Sequence, residues 1–422
     1  MAAVVCLAAV VFAILASRGG WLPRQGGSRS ADVAVAKGDW PWWRGTERDN
    51  KALGDPPPVK WAENENIIWK AEVQGRGYAS PIVCSDRIFV PTADELEQIQ
   101  SLLCFSRETG ERLWNTEFHR GGFVHKNIKN SHASSTAACD GGRVFVPFVV
   151  QGGLWLTATD LDGNILWQKL VAPFDSEHGY ASSPAIYKSL VIVASDNLGP
   201  SYLTALDRRS GETVWQVPRG SGGSYATPVI AMLAGRPQLL LSGQNSVTSY
   251  DPENGEVLWF CSGMASSTIG TIAWSKNSVF ATAGAATTAG GTMSIGADGR
   301  DDVTNTHITW TSNATANVPS PLVVEDRLVV VQDIGLVTCL STETGKELWK
   351  ERLGGNISAS PVLAGDLVYL PNEEGTVFVF KAGKQFESVA ENHLGDGGFA
   401  TPVICGGRIY LRTEHHLYCI GH

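Results

Sequence analysis

Eight cysteines, nine histidines and 42 acidic residues are the groups with which this chain of 422 residues could do chemistry, and their spacing decides which chemistry is available. No two cysteines are adjacent, and neither a C-x-x-C pair nor a heme-attachment motif occurs, so thiolate metal clusters and covalent heme are unsupported. The stretch His119-Arg-Gly-Gly-Phe-Val-His125 to His132 carries three histidines; a metal site and a set of solvated loop histidines both fit it. Asp298-Gly-Arg-Asp301-Asp302 is dense in carboxylates, but it lacks the alternating ligands and closing glutamate of a calcium loop and reads as a turn. Serines recur before proline, yet no Gly-x-Ser-x-Gly elbow is present; these serines read as strand starts, not nucleophiles. No catalytic residue and no metal ligand is predicted.

The elements that carry these residues come from a repeat. Ser/Thr-Pro pairs stand at Ser80, Ser183, Thr227, Ser320, Ser360 and Thr401, and degenerate copies at Ser135-Thr136 and Gly270-Thr271 complete eight units. Each is followed by a β-branched or aromatic run (RIFV at 87, RVFV at 143, LVIV at 190, QLLL at 238, SVFA at 278, RLVV at 327, LVYL at 367, RIYL at 408), bounded by turn residues as strands are. Trp114, Trp167, Trp215, Trp259 and Trp349 each follow a glycine by four residues, Gly110, Gly163, Gly211, Gly255 and Gly345. That glycine supplies the positive φ of a tight hairpin, and the indole fills the space between neighbouring sheets. Trp310 continues the series without its glycine, and the seventh unit has Val389 in the tryptophan position.

Successive tryptophans lie 39 to 53 residues apart, room for four short strands with their turns. Helical repeats of that length are excluded by the period-2 strands and the dense glycine, which leaves four-stranded antiparallel sheets arranged radially. The expectation is an all-β, eight-bladed β-propeller. Its last unit ends at Tyr418-Cys419-Ile420 and lacks an outer strand, while Ile67-Ile68-Trp69-Lys70 is an outer strand without a unit. Pairing the two closes the ring and removes free edges. Six cysteines, Cys84, Cys139, Cys405, Cys104, Cys339 and Cys419, fall at repeat positions and read as small buried packers.

Residues 67–422 are thus assigned to the propeller and 39–66 to a lead-in segment. The apolar run Ala2 to Ser17 falls short of the ~20 residues that span a bilayer; residues 1–17 read as a signal peptide or membrane anchor and 18–38 as a linker. The formal net charge is −9 with no Lys/Arg-rich block, which argues against nucleic acid as a partner.

The tryptophans are not followed by aspartate, so the blades are not of the WD40 type. Asp207-Arg-Arg-Ser-Gly-Glu-Thr-Val-Trp215 and Asp251-Pro-Glu-Asn-Gly-Glu-Val-Leu-Trp259 instead resemble the pyrroloquinoline-quinone (PQQ) repeat, and the likeness covers about residues 40 to 422. Asp39-Trp-Pro-Trp-Trp-Arg-Gly45 resembles the lead-in of the planctomycete-type PQQ-like repeat proteins. The resemblance implies either a quinoprotein alcohol dehydrogenase, holding PQQ and Ca²⁺, or a BamB-like cell-envelope scaffold without cofactor. A dehydrogenase of this kind needs carboxylate ligands, an aspartate base and, in most cases, an adjacent-cysteine disulfide; the sequence lacks that disulfide and the long insertions that build the pocket. No cofactor is therefore expected, with PQQ and Ca²⁺ the alternative.

Gly-rich segments precede several innermost strands and carry Tyr78, Tyr180, Tyr225, Asn356 and Phe399. Repeat geometry predicts that they ring one mouth of the central channel as a collar able to hold a planar ligand or a peptide; inter-blade packing is the plainer account. The functional expectation is a non-catalytic, exported binding or scaffold module of the cell envelope, periplasmic or membrane-anchored. Its partners would be other envelope proteins, or a peptide or small ligand at a propeller face. A PQQ-dependent oxidoreductase and a ligand-sensing propeller in a larger complex are the alternatives.

Overall fold

The computed structural model describes residues 33–36, 38–284 and 291–422; the leader, most of the linker and Gly290 lie outside the described residues. The second strand of each unit is a continuous apolar run because it is covered on both faces. Leu190–Ala194 and Arg327–Val331 are buried along nearly their whole length. The fourth strand alternates, as in Thr213–Arg219, where Trp215 turns inward and Thr213, Val214 and Gln216 face solvent. A sheet whose inner strands are covered on both faces can be satisfied only by other sheets stacked against it.

Eight such sheets form, all antiparallel within the repeat. Blades 1 to 7 span residues 82–120, 138–173, 185–219, 229–262, 273–312, 322–352 and 362–393. Blade 8 takes its three inner strands from 403–420 and its outer strand from Ile67–Glu72. Trp69 pairs with Cys419 and Lys70 with Tyr418, so the ring closes as the sequence predicts. The fifth and seventh units, the weakest in sequence, each form four strands.

The core lies between blades. Ile192, Leu203 and Trp215 of blade 3 pack with Leu239, Leu241 and Tyr250 of blade 4. The hairpin glycines have a second reason beyond their positive φ. A Cβ on Gly211 (φ +70°) would sit 2.7 Å from the Trp167 ring of the preceding blade, and the same holds for Gly110 against Trp69, Gly163 against Trp114, and Gly345 against Trp310. Each indole also donates its N–H to a carbonyl of that turn, Trp167 to Arg208 at 3.3 Å and Trp310 to Thr342 at 2.9 Å. Unit five has no such glycine, and Trp259 turns to Gln238 of its own blade instead, donating to Oε1 at 2.8 Å. The place of the turn is taken by the Asp301–Asp302 strand, which pairs in parallel with Trp259 and Phe260.

Two cysteines from neighbouring blades meet, which the reading as separate packers did not anticipate: the Cys84 and Cys139 sulfurs are 2.6 Å apart. All seven described cysteines are buried.

Candidate functional site: a hydroxyl-lined bowl floored by the lead-in segment

The hydroxyls that mark the units form a ring around the channel. The backbone N–H of Ser80 donates to Thr136 Oγ1, that of Thr136 to Ser183 Oγ, and that of Ser183 to Thr227 Oγ1, at 3.0–3.1 Å. The series resumes from Thr271 to Ser320, Ser320 to Ser360 and Ser360 to Thr401 at 2.9 Å. Six of the eight seams between blades are keyed in this way, which is why a hydroxyl residue recurs at this position. It also corrects the register of the two degenerate copies. Thr136 and Thr271 occupy the hydroxyl position itself, not the proline position after it; with no proline to mark the phase, the pairs read from sequence slipped by one residue. Where a ring oxygen accepts a main-chain N–H, as six of the eight do, its own O–H is left to donate into the channel.

Two residues earlier in each segment that leads into an innermost strand, and facing the same cavity, lies a second tier: Tyr78, Ser134, Ala181, Tyr225, Ile269, Val318, Ser358 and Phe399. Both tiers line a cavity of about 480 Å³. Tyr78, Tyr225 and Phe399 sit where the predicted collar put them, and the Tyr78 and Phe399 rings stack across the blade 1–blade 8 seam with centroids 4.1 Å apart. Tyr180 does not join them. It is one residue out of phase, so its side chain points between blades, where it meets Phe174 edge-on and donates to the Ala194 carbonyl at 2.9 Å; Ala181 takes its place. Asn356 lies two residues before the tier position, exposed in a loop, and Ser358 holds that position.

The floor comes from a segment to which the sequence assigned no more than a lead-in role. Residues 39–52 run as a strap across the innermost strands. Trp40 bridges to Val83 of blade 1, and Cys139 of blade 2 donates its N–H to Pro41 at 2.7 Å. Arg48 reaches the Ile186 carbonyl of blade 3 at 2.7 Å, and Arg44 donates to the Thr271, Ile272 and Pro321 carbonyls of units 5 and 6. Lys51–Ala52 pairs in parallel with Leu363 and Ala364 of blade 7. All these contacts fall at or beyond the hydroxyl position, while the aromatic tier precedes it, so the strap closes the channel from the opposite side. Trp43 faces the cavity and donates to Thr271 Oγ1 at 2.9 Å. The one sequence signal for this role is a concentration of Trp and Arg in a stretch that belongs to no repeat.

The rim is polar. Asn127, Lys129 and Asn130 come from the long blade 1–blade 2 connection, His178 and Asn317 from other loops. Lys129 pairs with Glu373 at 3.3 Å, and Glu373 also accepts from Ser358 at 2.6 Å. Burial pushes the Tyr225 phenol up to about 12, reinforced by Glu177, so it remains a donor at neutral pH. Two arginines near the bowl are buried without a carboxylate bonded to them: burial lowers Arg44 to about 10, with Asp49 opposing, and Arg412 to about 9.

The other candidate metal residues are dispersed. His119 is half-buried against Trp155 and Phe148, and loss of solvent lowers it to about 4, while His132 bonds Glu95. Among the described residues, no group of three His, Cys, Asp or Glu side chains converges on a metal position. The bowl offers the flat aromatic surface a quinone would need, in Trp43, but Asp333 is the sole carboxylate among its lining residues. Asp333 is already committed to the Val318 N–H at 3.0 Å and the Asn317 amide at 3.2 Å. The residues present therefore do not fit a calcium-bound quinone with its base.

Eight PQQ-type blades around a closed, hydroxyl-lined bowl make this a β-propeller of the PQQ-repeat class. The chain belongs to the family described as outer membrane protein assembly factor BamB, whose model matches residues 59–173, 98–283 and 266–413. It is 25% identical over 325 residues to the outer membrane protein assembly factor BamB of Burkholderia pseudomallei, a match covering 74% of this chain and 66% of that protein. It is 23% identical over 209 residues to the BamB of Legionella pneumophila, covering 46% and 49%. The matches thus span just under two thirds and about half of these curated relatives. Among solved structures, BamB from Moraxella catarrhalis is similar with a TM-score of 0.60 at 16% identity, over 84% of this chain and 97% of that one. The quinohemoprotein alcohol dehydrogenase of Comamonas testosteroni gives 0.65 at 11% identity, over 90% and 80%. At such identities the likeness is one of fold.

Proposed function

We propose that this protein is a non-catalytic binding and scaffold module of the cell envelope, and that the bowl holds a short segment of an envelope partner. Family membership supports the envelope setting. The observation that carries the site is the pairing of two tiers, an inner ring of buried hydroxyls with free O–H groups and an outer tier with a stacked Tyr78–Phe399 pair facing Tyr225. An extended peptide presents carbonyls for the first and side chains for the second. The arrangement offers orientation and grip, with no nucleophile–base pair poised for a reaction.

The double variant Tyr78→Ala, Phe399→Ala tests this. With its thermal midpoint close to wild type, it should lose at least tenfold in retention of the partners that the wild-type protein captures from envelope extracts. Unchanged capture by a folded variant moves binding away from the bowl. Addition of PQQ and Ca²⁺ to the purified protein tests the dehydrogenase reading: quinone absorbance retained after gel filtration, with dye-coupled alcohol oxidation, would overturn the proposal.

A further inference from the structure

Blades 1 and 2 meet along their innermost strands, Ile82–Cys84 and Ala138–Cys139. The final residue of each is a cysteine, both wholly excluded from solvent. At 2.6 Å the two sulfurs are far closer than unbonded thiols pack, and only about half an ångström beyond the ~2.05 Å of a disulfide. By contrast, Cys405 faces the Arg107 guanidinium at 3.7 Å and Cys261 the Met293 thioether at 3.8 Å.

The surroundings hold the pair in register from both sides. Trp40 exchanges both main-chain hydrogen bonds with Val83 at 2.9 Å, and Pro41 accepts the Cys139 N–H at 2.7 Å. The strap therefore crosses from blade 1 to blade 2 directly over the two cysteines. Gly141 donates its N–H to Cys139 Sγ at 3.3 Å, and Asp39 accepts the Ser85 N–H at 3.0 Å.

We propose that Cys84 and Cys139 are an inter-blade disulfide site, oxidised when the protein folds in a compartment that supplies a disulfide donor. One cysteine thiolate attacks the donor disulfide, forming a mixed disulfide and expelling the first donor thiolate. The second cysteine thiolate then displaces the second donor thiolate, and the Cys84–Cys139 bond forms. The cysteine pair is oxidised by two electrons, the donor disulfide is reduced to two thiols, and the two cysteine protons pass through solvent to the departing thiolates. The closed fold buries both sulfurs under the strap, so the exchange belongs to folding or to strap opening. The bond would tie residues 55 apart in sequence, enclosing the three outer strands of blade 1 in one covalent loop.

The test uses the full chain, unfolded in reductant and refolded with oxidised glutathione. Free thiols are then blocked under denaturing, non-reducing conditions and the protein is digested for peptide mapping. The expected product is a single cross-linked species joining the Cys84 and Cys139 peptides, two hydrogens lighter than their sum. Reduction of the oxidised protein should lower its thermal midpoint by several degrees, a drop absent from the Cys84→Ala, Cys139→Ala variant. Both cysteines found blocked after oxidative refolding, or cross-linked to other cysteines instead, would overturn the proposal; the mapping needs no variant. The test does not depend on the bowl, so its failure leaves the proposed binding role standing.

Discussion

Replacing Gly211 by alanine separates two reasons for one glycine. Gly211 lies at φ +70°, and an added Cβ would meet the Trp167 ring at 2.7 Å. Gly235 lies at φ +76°, and an added Cβ there would meet nothing within 4 Å. Alanine in the left-handed region costs roughly 1–2 kcal/mol at either position. At Gly211 the 2.7 Å contact must relax by about 0.8 Å to reach ordinary carbon–carbon distance. Trp167 is only 9% exposed and tied by its N–H to Arg208, so that relaxation repacks the blade 2–blade 3 boundary. Overpacking of this kind costs about 1–3 kcal/mol more. Gly211→Ala should therefore destabilise by roughly 2–5 kcal/mol and Gly235→Ala by about 1–2 kcal/mol, compared as urea midpoints followed by tryptophan fluorescence. Equal midpoints would refute the claim that each indole docks on the next blade's turn, and would leave backbone conformation as the sole reason for the glycine.

Asp196 and Arg219 form a buried bidentate pair at 2.7 and 3.0 Å, with Tyr250 of blade 4 on the same guanidinium. Burial raises Asp196 against the pull of Arg219, while Asp196 outweighs burial and raises Arg219; the bidentate geometry favours both groups charged. Asp196→Ala should cost about 3–5 kcal/mol by stranding the arginine, and adding Arg219→Met should recover most of it, which a double-mutant cycle measures. Asp396 is raised by burial but lowered further by hydrogen bonds from Thr413, His416 and His415, ending at about 2. Because its folded pKa lies below the unfolded value, its contribution is full above pH ~4 and fades as pH falls toward 2. His415 is raised by its bond to Asp396, so its contribution is present below its unfolded pKa and is lost as pH rises through the folded one. The melting temperature of the wild type should fall relative to Asp396→Asn as pH drops from 4 to 2; parallel curves would refute this.

The ring was legible in the sequence because each blade repeats the same local solution. Ser/Thr at the strand start recurs in every unit, glycine at the hairpin and Trp four residues later recur in most for a shared physical reason, and the unpaired Ile67–Lys70 strand left one way to close. What failed was phase. In a strand, adjacent side chains point to opposite sides, so a collar chosen by residue type within Gly-rich segments captured Tyr78, Tyr225 and Phe399 but also Tyr180, one position off and packed between blades. Counting back two residues from the hydroxyl position would have selected Ala181 and Ser358. For Ser134 and Ile269 the rule also required knowing that Thr136 and Thr271 hold the hydroxyl position without a following proline.

The strap was illegible for a different reason, and that reason bears on how the bowl works. A repeat cannot build its own floor, since eight identical inner strands leave an open channel. The closing piece must come from a segment whose pattern matches no unit. Residues 39–52 do this by spending polar groups on the carbonyls that the innermost strands leave unpaired on the channel side: Arg44 on three, Arg48 and Asn50 on one each. Arg44 is buried and Arg48 half-buried, neither with a bonded carboxylate, so their charge acts on the bowl through a medium of low dielectric. Their acceptors are main-chain oxygens, which carry no net charge to cancel it. A partner segment entering from the rim thus meets O–H donors, a half-buried indole and a positive field from below. An acidic residue or a chain terminus is favoured at the deepest point over a basic one. Arg44→Met should weaken capture of acidic partner segments more than neutral ones; equal loss for both would assign Arg44 to closure of the channel alone.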